Sequence, residues 1–277
     1  KGEKFQVEVI KKNQQLLGPS HPDTLTSMEN LALIYWSQDK WNKTEILQIQ
    51  VMDQRKELLG PDHPDTLLAM ANLAATYQNL GRYSEAERLE IQVMNKRKEL
   101  LGPDHLYTLE ATANLAATYW NLGRYSEAET LEILVMEKLK EVLGIDHPHT
   151  LNAMANLAAT YCDLCRYSEA ETLEIQVMDK RMEVLGKDHP DTLNAMANLA
   201  ATYRNLCKYS AAETLHIQVM DKSKEILGTD HPDTLNAMAN LAATYRNLGR
   251  YSEAETLDIQ VMVKRKEVLG TDHPHTL

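Results

Sequence analysis

A repeat of 42 residues is the feature that most constrains this fold. Residues 189–230 and 231–272 are identical at 35 of 42 positions. A fixed period of this length is typical of repeat proteins, in which each unit packs mainly on its neighbours. The period is marked by histidines that recur without insertion or deletion, namely His21, His63, His105, His147, His189, His231 and His273.

The repeat boundaries follow from these histidines. Residues 1–18 align with the second half of a repeat, and residues 273–277 begin another. We therefore expect one solenoid over residues 1–277, cut from a longer array, whose ends could stack on a second copy. Its six full repeats are residues 21–62, 63–104, 105–146, 147–188, 189–230 and 231–272.

Each repeat carries two apolar stripes at helical spacing. In residues 63–104, the first stripe contains Leu67, Met70, Leu73 and Tyr77, and Gly81 follows it. We call this first predicted helix, and its equivalents, helix A. The second stripe, helix B, contains Ala86, Leu89, Val93, Leu100 and Leu101 and ends at Gly102. No strand pattern is present, which excludes a propeller of similar period. The periodic methionines, such as Met52 and Met94, are expected to fill the core.

Charged and polar residues indicate where the helices begin. We expect Asp62 to cap helix A and Ser84 to open helix B, each with an acidic residue three positions on. Glu90 near the start of helix B and Arg97 near its end complement the helix dipole and are expected on solvated surface. The same expectation applies to His216, which occupies the position of Glu90 three repeats later.

The motifs of the two helices resemble those of tetratricopeptide repeats, and the phrase LGxDHPDTLxxMxNLAxTY…GRYxEAExL resembles the kinesin light chain variety. The chain departs from that pattern at Glu90, where the family usually has an aromatic residue. The resemblance implies an all-α fold, an α-solenoid in which antiparallel helix pairs stack into a right-handed superhelix. Helix A would line its concave groove. The residues that carry the resemblance are Met70-x2-Leu73-Ala74-x2-Tyr77 and Gly81-x-Tyr83-x2-Ala86.

Three functions remain open at this point. The resemblance implies a non-catalytic scaffold that binds a peptide or protein segment in the groove. The chain also resembles the C-terminal repeat arrays of fungal NOD-like signalling NTPases, which implies a ligand-sensing domain, and a third reading is a kinesin light chain-like cargo adaptor. A P-loop upstream would favour the NTPase, and a heptad coiled coil would favour the adaptor.

One position of helix A varies among the repeats on the side opposite the core. We predict that it contacts the partner, because Trp and Arg are frequent at interface hot spots. Alternatively, the tryptophans only fold over neighbouring helices. The predicted groove residues at this position are Trp36, Gln78, Trp120, Arg204 and Arg246, and Cys162 lies there in the fourth repeat. The position of Leu68 varies as well.

An asparagine ladder runs along the same side of helix A, one residue before the core leucine. Its amides could donate to and accept from an extended peptide backbone, or they could bond to a neighbouring helix. Acidic residues early on this side (Glu29, Glu110, Asp163) and arginines late predict a partner with a basic part near the first repeats. The ladder consists of Asn30, Asn72, Asn114, Asn156, Asn198 and Asn240.

Composition excludes several other classes. A net charge of −11 argues against binding to nucleic acid, and no apolar run is long enough for a membrane helix. Three cysteines without a disulfide framework favour the cytoplasm. A metal or redox enzyme built on Cys162, Cys165 and Cys207 is the rival from another class, although one CxxC is weak support. With no catalytic motif, we predict no enzyme activity, no metal and no cofactor.

Overall fold

Thirteen helices and no strand form the part of the chain that the computed structural model describes, residues 2–269, with side chains described to residue 267. The A helices are Pro22–Trp36 (α2), Pro64–Asn79 (α4), Leu106–Asn121 (α6), Pro148–Asp163 (α8), Pro190–Asn205 (α10) and Pro232–Asn247 (α12). The B helices are Gly2–Leu16 (α1), Trp41–Leu59 (α3), Tyr83–Leu101 (α5), Tyr125–Leu143 (α7), Tyr167–Leu185 (α9), Tyr209–Leu227 (α11) and Tyr251–Leu269 (α13). The predicted all-α array of helix pairs is confirmed.

The chain divides into two compact units, Lys1–Lys138 and Leu139–Leu277. In the first unit, each helix from α1 to α5 packs on the next along the chain. The second unit repeats this arrangement from α8 to α13, and α10 also contacts α12 directly. Neighbouring repeats therefore share packing surfaces within each unit. The single solenoid over residues 1–277 and its right-handed superhelix stay predictions.

Each helix A is capped by the histidine that recurs every 42 residues, and not by the aspartate before it. His63 has extended backbone angles, and its Nδ1 accepts a hydrogen bond from the Asp65 backbone N–H at 3.2 Å. The prediction that Asp62 caps this helix is wrong, because its carboxylate pairs with Lys96 at 3.1 Å. The same histidine cap opens the other A helices, at His21, His105, His147, His189 and His231. His273 lies outside the described residues.

The turn from helix A to helix B needs a residue with positive φ, as predicted. Gly81 has φ of 70° here, while Cys165 and Cys207 adopt 59° in their repeats. Helix B then begins at Tyr83, so the predicted cap at Ser84 is wrong. Arg82 precedes the helix, and its guanidinium lies 4.4 Å from the ring centroid of Tyr77.

The connection from helix B to the next helix A is fixed by one hydroxyl. Gly60 ends α3 with φ of 91°, and Thr66 Oγ1 donates to the Gly60 carbonyl at 2.8 Å. This bond satisfies one of the carbonyls that a helix end leaves without an intrahelical partner. The bond recurs at the same length in every full repeat. It therefore fixes the start of each helix A against the end of the preceding helix B in the same way. The other donors are Thr24, Thr108, Thr150, Thr192 and Thr234.

The core lies between the two helix types, where the sequence stripes predict it, but the prediction that Leu100 and Leu101 belong to the inner face of helix B is wrong, because both are exposed at its end. In the first unit, Leu67, Met70 and Val93 are buried and pack with Ala111 of the next repeat. Methionines fill the space around such clusters, and their predicted role as core residues is confirmed for Met52, Met94, Met178 and Met220. In the part of the chain described here, no helix is long and apolar enough to cross a membrane.

Candidate functional site

The asparagine ladder lies on the exposed side of helix A in both units. Asn72 is exposed, whereas the residues that follow it, Leu73 and Ala74, are fully buried. All six ladder residues are exposed, and within residues 2–267 none of their side-chain amides forms a hydrogen bond. The alternative role, a bond to a neighbouring helix, is therefore not observed there. We call the surface that carries these asparagines in each unit the asparagine face.

A buried polar stripe on helix B lies beneath this face. Ala86, Glu90, Val93 and Arg97 follow one another at helical spacing, and all four are buried. The predictions that Glu90 and Arg97 are solvated are wrong, with exposed fractions of 4% and 7%. The spacing of Glu90 and Arg97 from Ala86 and Val93 is the sequence signal that could have shown this.

Glu90 is held at this depth by the two A helices that flank it. Its Oε1 accepts from Gln78 Nε2 of α4 at 2.9 Å, and Thr118 of α6 also bonds to the carboxylate. Its Oε2 is buried without a hydrogen-bond partner. Burial raises the pKa of Glu90 to about 7, although the bonds from Thr118 and Gln78 lower it. Burial likewise raises the pKa of Glu174, the equivalent residue two repeats on, to about 7.

We call the place of Glu90 in each repeat the floor position, which comprises Gln48, Glu90, Glu132, Glu174, His216 and Asp258. His216 has an exposed fraction of only 1%, so its predicted exposure is wrong. Its Nδ1 lies 2.8 Å from Thr244 Oγ1, and burial together with the charge of Arg204 lowers its pKa to about 4. Gln48 is uncharged and accepts from Thr76 Oγ1 at 2.5 Å. The floor position thus varies in charge, while Gln48, Glu90, Glu174 and His216 each contact a threonine of the next helix A.

The structure brings the variable residues of helix A to helix B of their own repeat. Gln78 is bonded to Glu90, as described above, and also donates to Thr118 Oγ1 at 2.7 Å. Arg246 forms an ion pair with Asp258 at the floor position. Arg204 is half-buried near His216. These three side chains therefore link the asparagine face to the floor position.

The two tryptophans of this variable position pack against the first residue of the following helix B. The Trp36 and Trp41 ring centroids are 4.8 Å apart in an edge-to-face arrangement. The Trp120 and Tyr125 centroids are 6.4 Å apart, and 38% of Trp120 is exposed. This packing matches the alternative reading for Trp36 more than for Trp120, which keeps an accessible ring.

The acidic residues expected to face a basic partner are already paired in the first unit. Arg55 contacts the Glu29 carboxylate at 2.8 Å, and Arg97 contacts that of Glu110 at 3.3 Å. Each arginine comes from the buried stripe of helix B. The charge that reaches the asparagine face from these pairs is therefore largely neutralised.

Adjacent A helices leave a cavity whose size depends on the repeat. Between α2 and α4, the cavity measures about 220 Å³ and is lined by Asn30, Asn72 and the floor residue Gln48, among others. Between α8 and α10, the equivalent cavity measures about 10 Å³ and is lined by Asn198 and the floor residue Glu174. The floor position is therefore reached from the asparagine face.

The three cysteines are free thiols in two kinds of surroundings. Cys162 Sγ lies 3.2 Å from Thr202 Oγ1, and burial raises the pKa of this thiol, which disfavours the reactive thiolate. Cys165 and Cys207 are exposed in their turns, where they contact Tyr167 and Tyr209 respectively. No cluster of metal-ligating side chains occurs among the residues described.

Known families and structures match this arrangement. Two family models described as tetratricopeptide repeat match residues 23–99 and, in four consecutive copies, residues 108–149, 150–191, 192–233 and 234–275. No curated protein matches the chain. A structure described as a Podosopora anserina putative kinesin light chain with nearly identical TPR-like repeats is 29% identical, with a TM-score of 0.66, over 74% of this chain and 98% of that one.

Two more distant structures share the fold. BtubC (BKLC) from P. vanneervenii is 19% identical over 84% of this chain and 94% of its own, with a TM-score of 0.70. NprR in complex with its cognate peptide NprX is 17% identical over 96% of this chain and 77% of its own, with a TM-score of 0.60. Together with the family matches, these structures show an all-α helical repeat array.

Proposed function

Because the chain belongs to the tetratricopeptide repeat family, we propose that it is a non-catalytic scaffold that binds an extended protein segment on the asparagine face. The single observation that carries this proposal is the ladder of exposed amides without hydrogen-bond partners in the described structure. An amide offers both a donor and an acceptor, which is what the backbone of an extended segment needs. A ladder with one amide per repeat would hold such a backbone regardless of its side chains.

The variable position would supply selectivity. Trp120 keeps an exposed ring, and Arg204 adds a charge beside the floor position of its repeat. Trp36, Gln78, Trp120 and Arg246 each contact a side chain of their own unit, so they would bind through the surface that stays exposed or after local rearrangement. Affinity from the ladder and selectivity from the variable side chains are separate contributions in strand-like recognition.

The near identity of successive repeats favours a second candidate. The P. anserina relative is also described by nearly identical repeats, which supports the ligand-sensing array of a fungal NOD-like NTPase as the wider setting. The cargo-adaptor reading and the cytoplasmic location stay predictions. Either setting uses the same binding face, so the same experiment tests the face itself.

Selection from a displayed library of random 12-residue peptides tests the proposal. The parent chain is compared with a variant in which Asn30, Asn72 and Asn114 are replaced by Ala. Alanine has the higher helix propensity, so the helices should keep their stability. A control carries Asn42→Ala and Asn95→Ala, which remove exposed amides from helices α3 and α5 instead.

The parent and the control should recover the same peptides, and the ladder variant should bind them about 150-fold more weakly. This estimate assigns about 1 kcal/mol to each lost hydrogen bond. Equal binding to all three proteins, or no recovery by the parent, would contradict the proposal.

A further inference from the structure

Two exposed leucines interrupt the uniform surface of the array. Leu33 on α2 is 62% exposed, although every other full repeat has alanine at its position. Leu68 on α4 is 46% exposed, where the other repeats have threonine, glutamate or asparagine. They come from different repeats and lie at different positions of helix A, yet both line the cavity between α2 and α4. An apolar patch at a place where the repeat otherwise avoids one indicates an interaction site.

The cavity between these leucines suits a ring. Its volume of about 220 Å³ exceeds the roughly 150 Å³ of an apolar cavity that holds a benzene molecule. Val51 adds an apolar wall, and Gln48 gives this repeat an uncharged floor where the next three repeats have glutamate. The one carboxylate that lines this cavity, Glu29, is paired with Arg55 at 2.8 Å, so an apolar group would enter beside an ion pair and not over an uncompensated floor charge. Asn30 and Asn72 line the same cavity and can hold the backbone on both sides of the entering side chain.

The next floor position along the first unit has the opposite chemistry. Glu90 is buried, and its Oε2 has no hydrogen-bond partner. In the second unit, the equivalent Glu174 lines a cavity of about 10 Å³, roughly the volume that one water molecule needs. A lysine ammonium is of that size and carries three donors, whereas a planar guanidinium is larger. A floor glutamate therefore favours lysine over arginine.

We propose that the first unit recognises a segment that carries an aromatic residue, seated between Leu33 and Leu68, and a lysine that reaches toward Glu90. This inference rests on the proposed function, because the asparagine ladder must hold the backbone of the segment. Adjacent packed helices lie about 8–10 Å apart, and a segment in the extended polyproline II conformation advances about 3.1 Å per residue with about three residues per turn, so residues three apart share one face. The aromatic residue and the lysine are therefore three residues apart in the segment.

The test uses the same peptide library with three further variants of the full chain. Leu33→Ala with Leu68→Asn gives the first cavity the residues that other repeats already carry, so the fold is retained. Glu90→Gln copies Gln48 into the second floor position. Leu100→Ala removes an exposed leucine of α5 that does not line the cavity and serves as the matched control.

Peptides recovered by the parent and by Leu100→Ala should contain an aromatic residue with a lysine three positions away. The leucine double variant should bind them at least about tenfold more weakly, and Glu90→Gln should lose the preference for lysine while keeping the aromatic residue. Recovery of the same peptides by the leucine double variant at equal affinity would overturn this inference and leave the proposed function standing. Recovery of peptides that depend on the ladder but lack the aromatic–lysine pair would likewise overturn this inference and leave the proposed function standing. If the parent recovers no peptide, both proposals fall.

Discussion

The cavity between α2 and α4 in the first unit and the equivalent cavity between α8 and α10 in the second differ about 20-fold in volume, 220 Å³ against 10 Å³. Both lie between equivalent A helices of successive repeats, with an asparagine on the rim and a polar residue at the floor. Three differences concern the apolar walls and the floor: Leu33, Leu68 and Gln48 of the first cavity correspond by sequence to Ala159, Asn194 and Glu174. Of these, only Glu174 lines the smaller cavity, and a further lining residue differs because Glu29 corresponds to Ala155. A repeated backbone can therefore present an apolar cavity in one place and an acidic one in another.

Transplanting these three residues should produce the largest effect. The background carries Leu33→Ala and Leu68→Asn, and the transplanted variant adds Ala159→Leu, Asn194→Leu and Glu174→Gln. It should bind the aromatic peptides at least about tenfold more tightly than the background does. The reason is that apolar walls and an uncharged floor would then exist between α8 and α10. If the background and the transplanted variant recover the same peptides, the three side chains do not determine the difference between the cavities.

The floor glutamates should make stability depend on pH. The pKa of Glu90 is about 7 in the folded chain, against 4.5 for an unperturbed carboxyl. The folded state therefore holds the proton between these values, and stability falls as the pH rises from about 4.5 through 7. Glu90→Gln cannot titrate, so we expect it to be more stable than the parent by about 1–3 kcal/mol at pH 8 and nearly equal to it near pH 5.

Thermal unfolding measured from pH 5 to pH 8 checks this, and Glu174→Gln should show the same trend in the second unit. A parent whose midpoint does not fall over this range, or a Glu90→Gln variant that is destabilised at pH 8, would show that the floor carboxylates are hydrated rather than buried.

His216 should have the opposite pH dependence at the same position of the repeat. Its pKa is lowered to about 4 by burial, so the unfolded chain binds the proton more tightly between about pH 4 and 6.5. Stability from this group is therefore lost as the pH falls through that range. When the pH falls from 7 to 5, the His216→Gln variant should lose about 1–2 kcal/mol less free energy of unfolding than the parent. A histidine NMR titration with a midpoint near 6.5 would contradict the burial.

The turn residues should give the smallest effect. Cys165 adopts φ of 59°, which is costly for a side chain, whereas Gly81 occupies the same turn in the first unit without strain. Cys165→Gly, and likewise Cys207→Gly, should raise the free energy of unfolding by about 1 kcal/mol each, less the greater entropy of glycine in the unfolded chain. The reverse change, Gly81→Cys, should destabilise. Unfolding midpoints in urea measure all three, and a fall with Cys165→Gly would show that its contact with Tyr167 outweighs the strain.

Much of the fold could be predicted from the sequence because turn residues and apolar residues recur at the same places in every repeat. Glycines and apolar periodicity placed the helices, and core positions such as Leu73 and Val93 are buried as expected. The helix starts were less certain: His63 and Arg82 precede them instead of Asp62 and Ser84. A capping box describes an isolated helix, whereas here Asp62 and Arg82 each bind side chains of another helix, which changes the local preference.

The candidate site was predictable only in part. The asparagine ladder follows from helical periodicity, since it lies beside the buried leucine on a face that two neighbouring helices leave open. The buried state of Glu90 and His216 was missed because charge was read as a sign of exposure, although their spacing matched the core stripe. The cavity between Leu33 and Leu68 joins residues of two repeats, so it appears only once the helices are stacked.

The measurement that tests the central claim most directly is an NMR titration of the asparagine side-chain amides with a selected peptide. Single Asn→Ala variants assign the signals of Asn30, Asn72 and Asn114. Binding on the asparagine face predicts that these three signals shift, whereas those of Asn42 and Asn95 on the B helices do not. Shifts confined to the B-helix asparagines, with the ladder signals unchanged at saturation, would place the segment elsewhere and contradict the account.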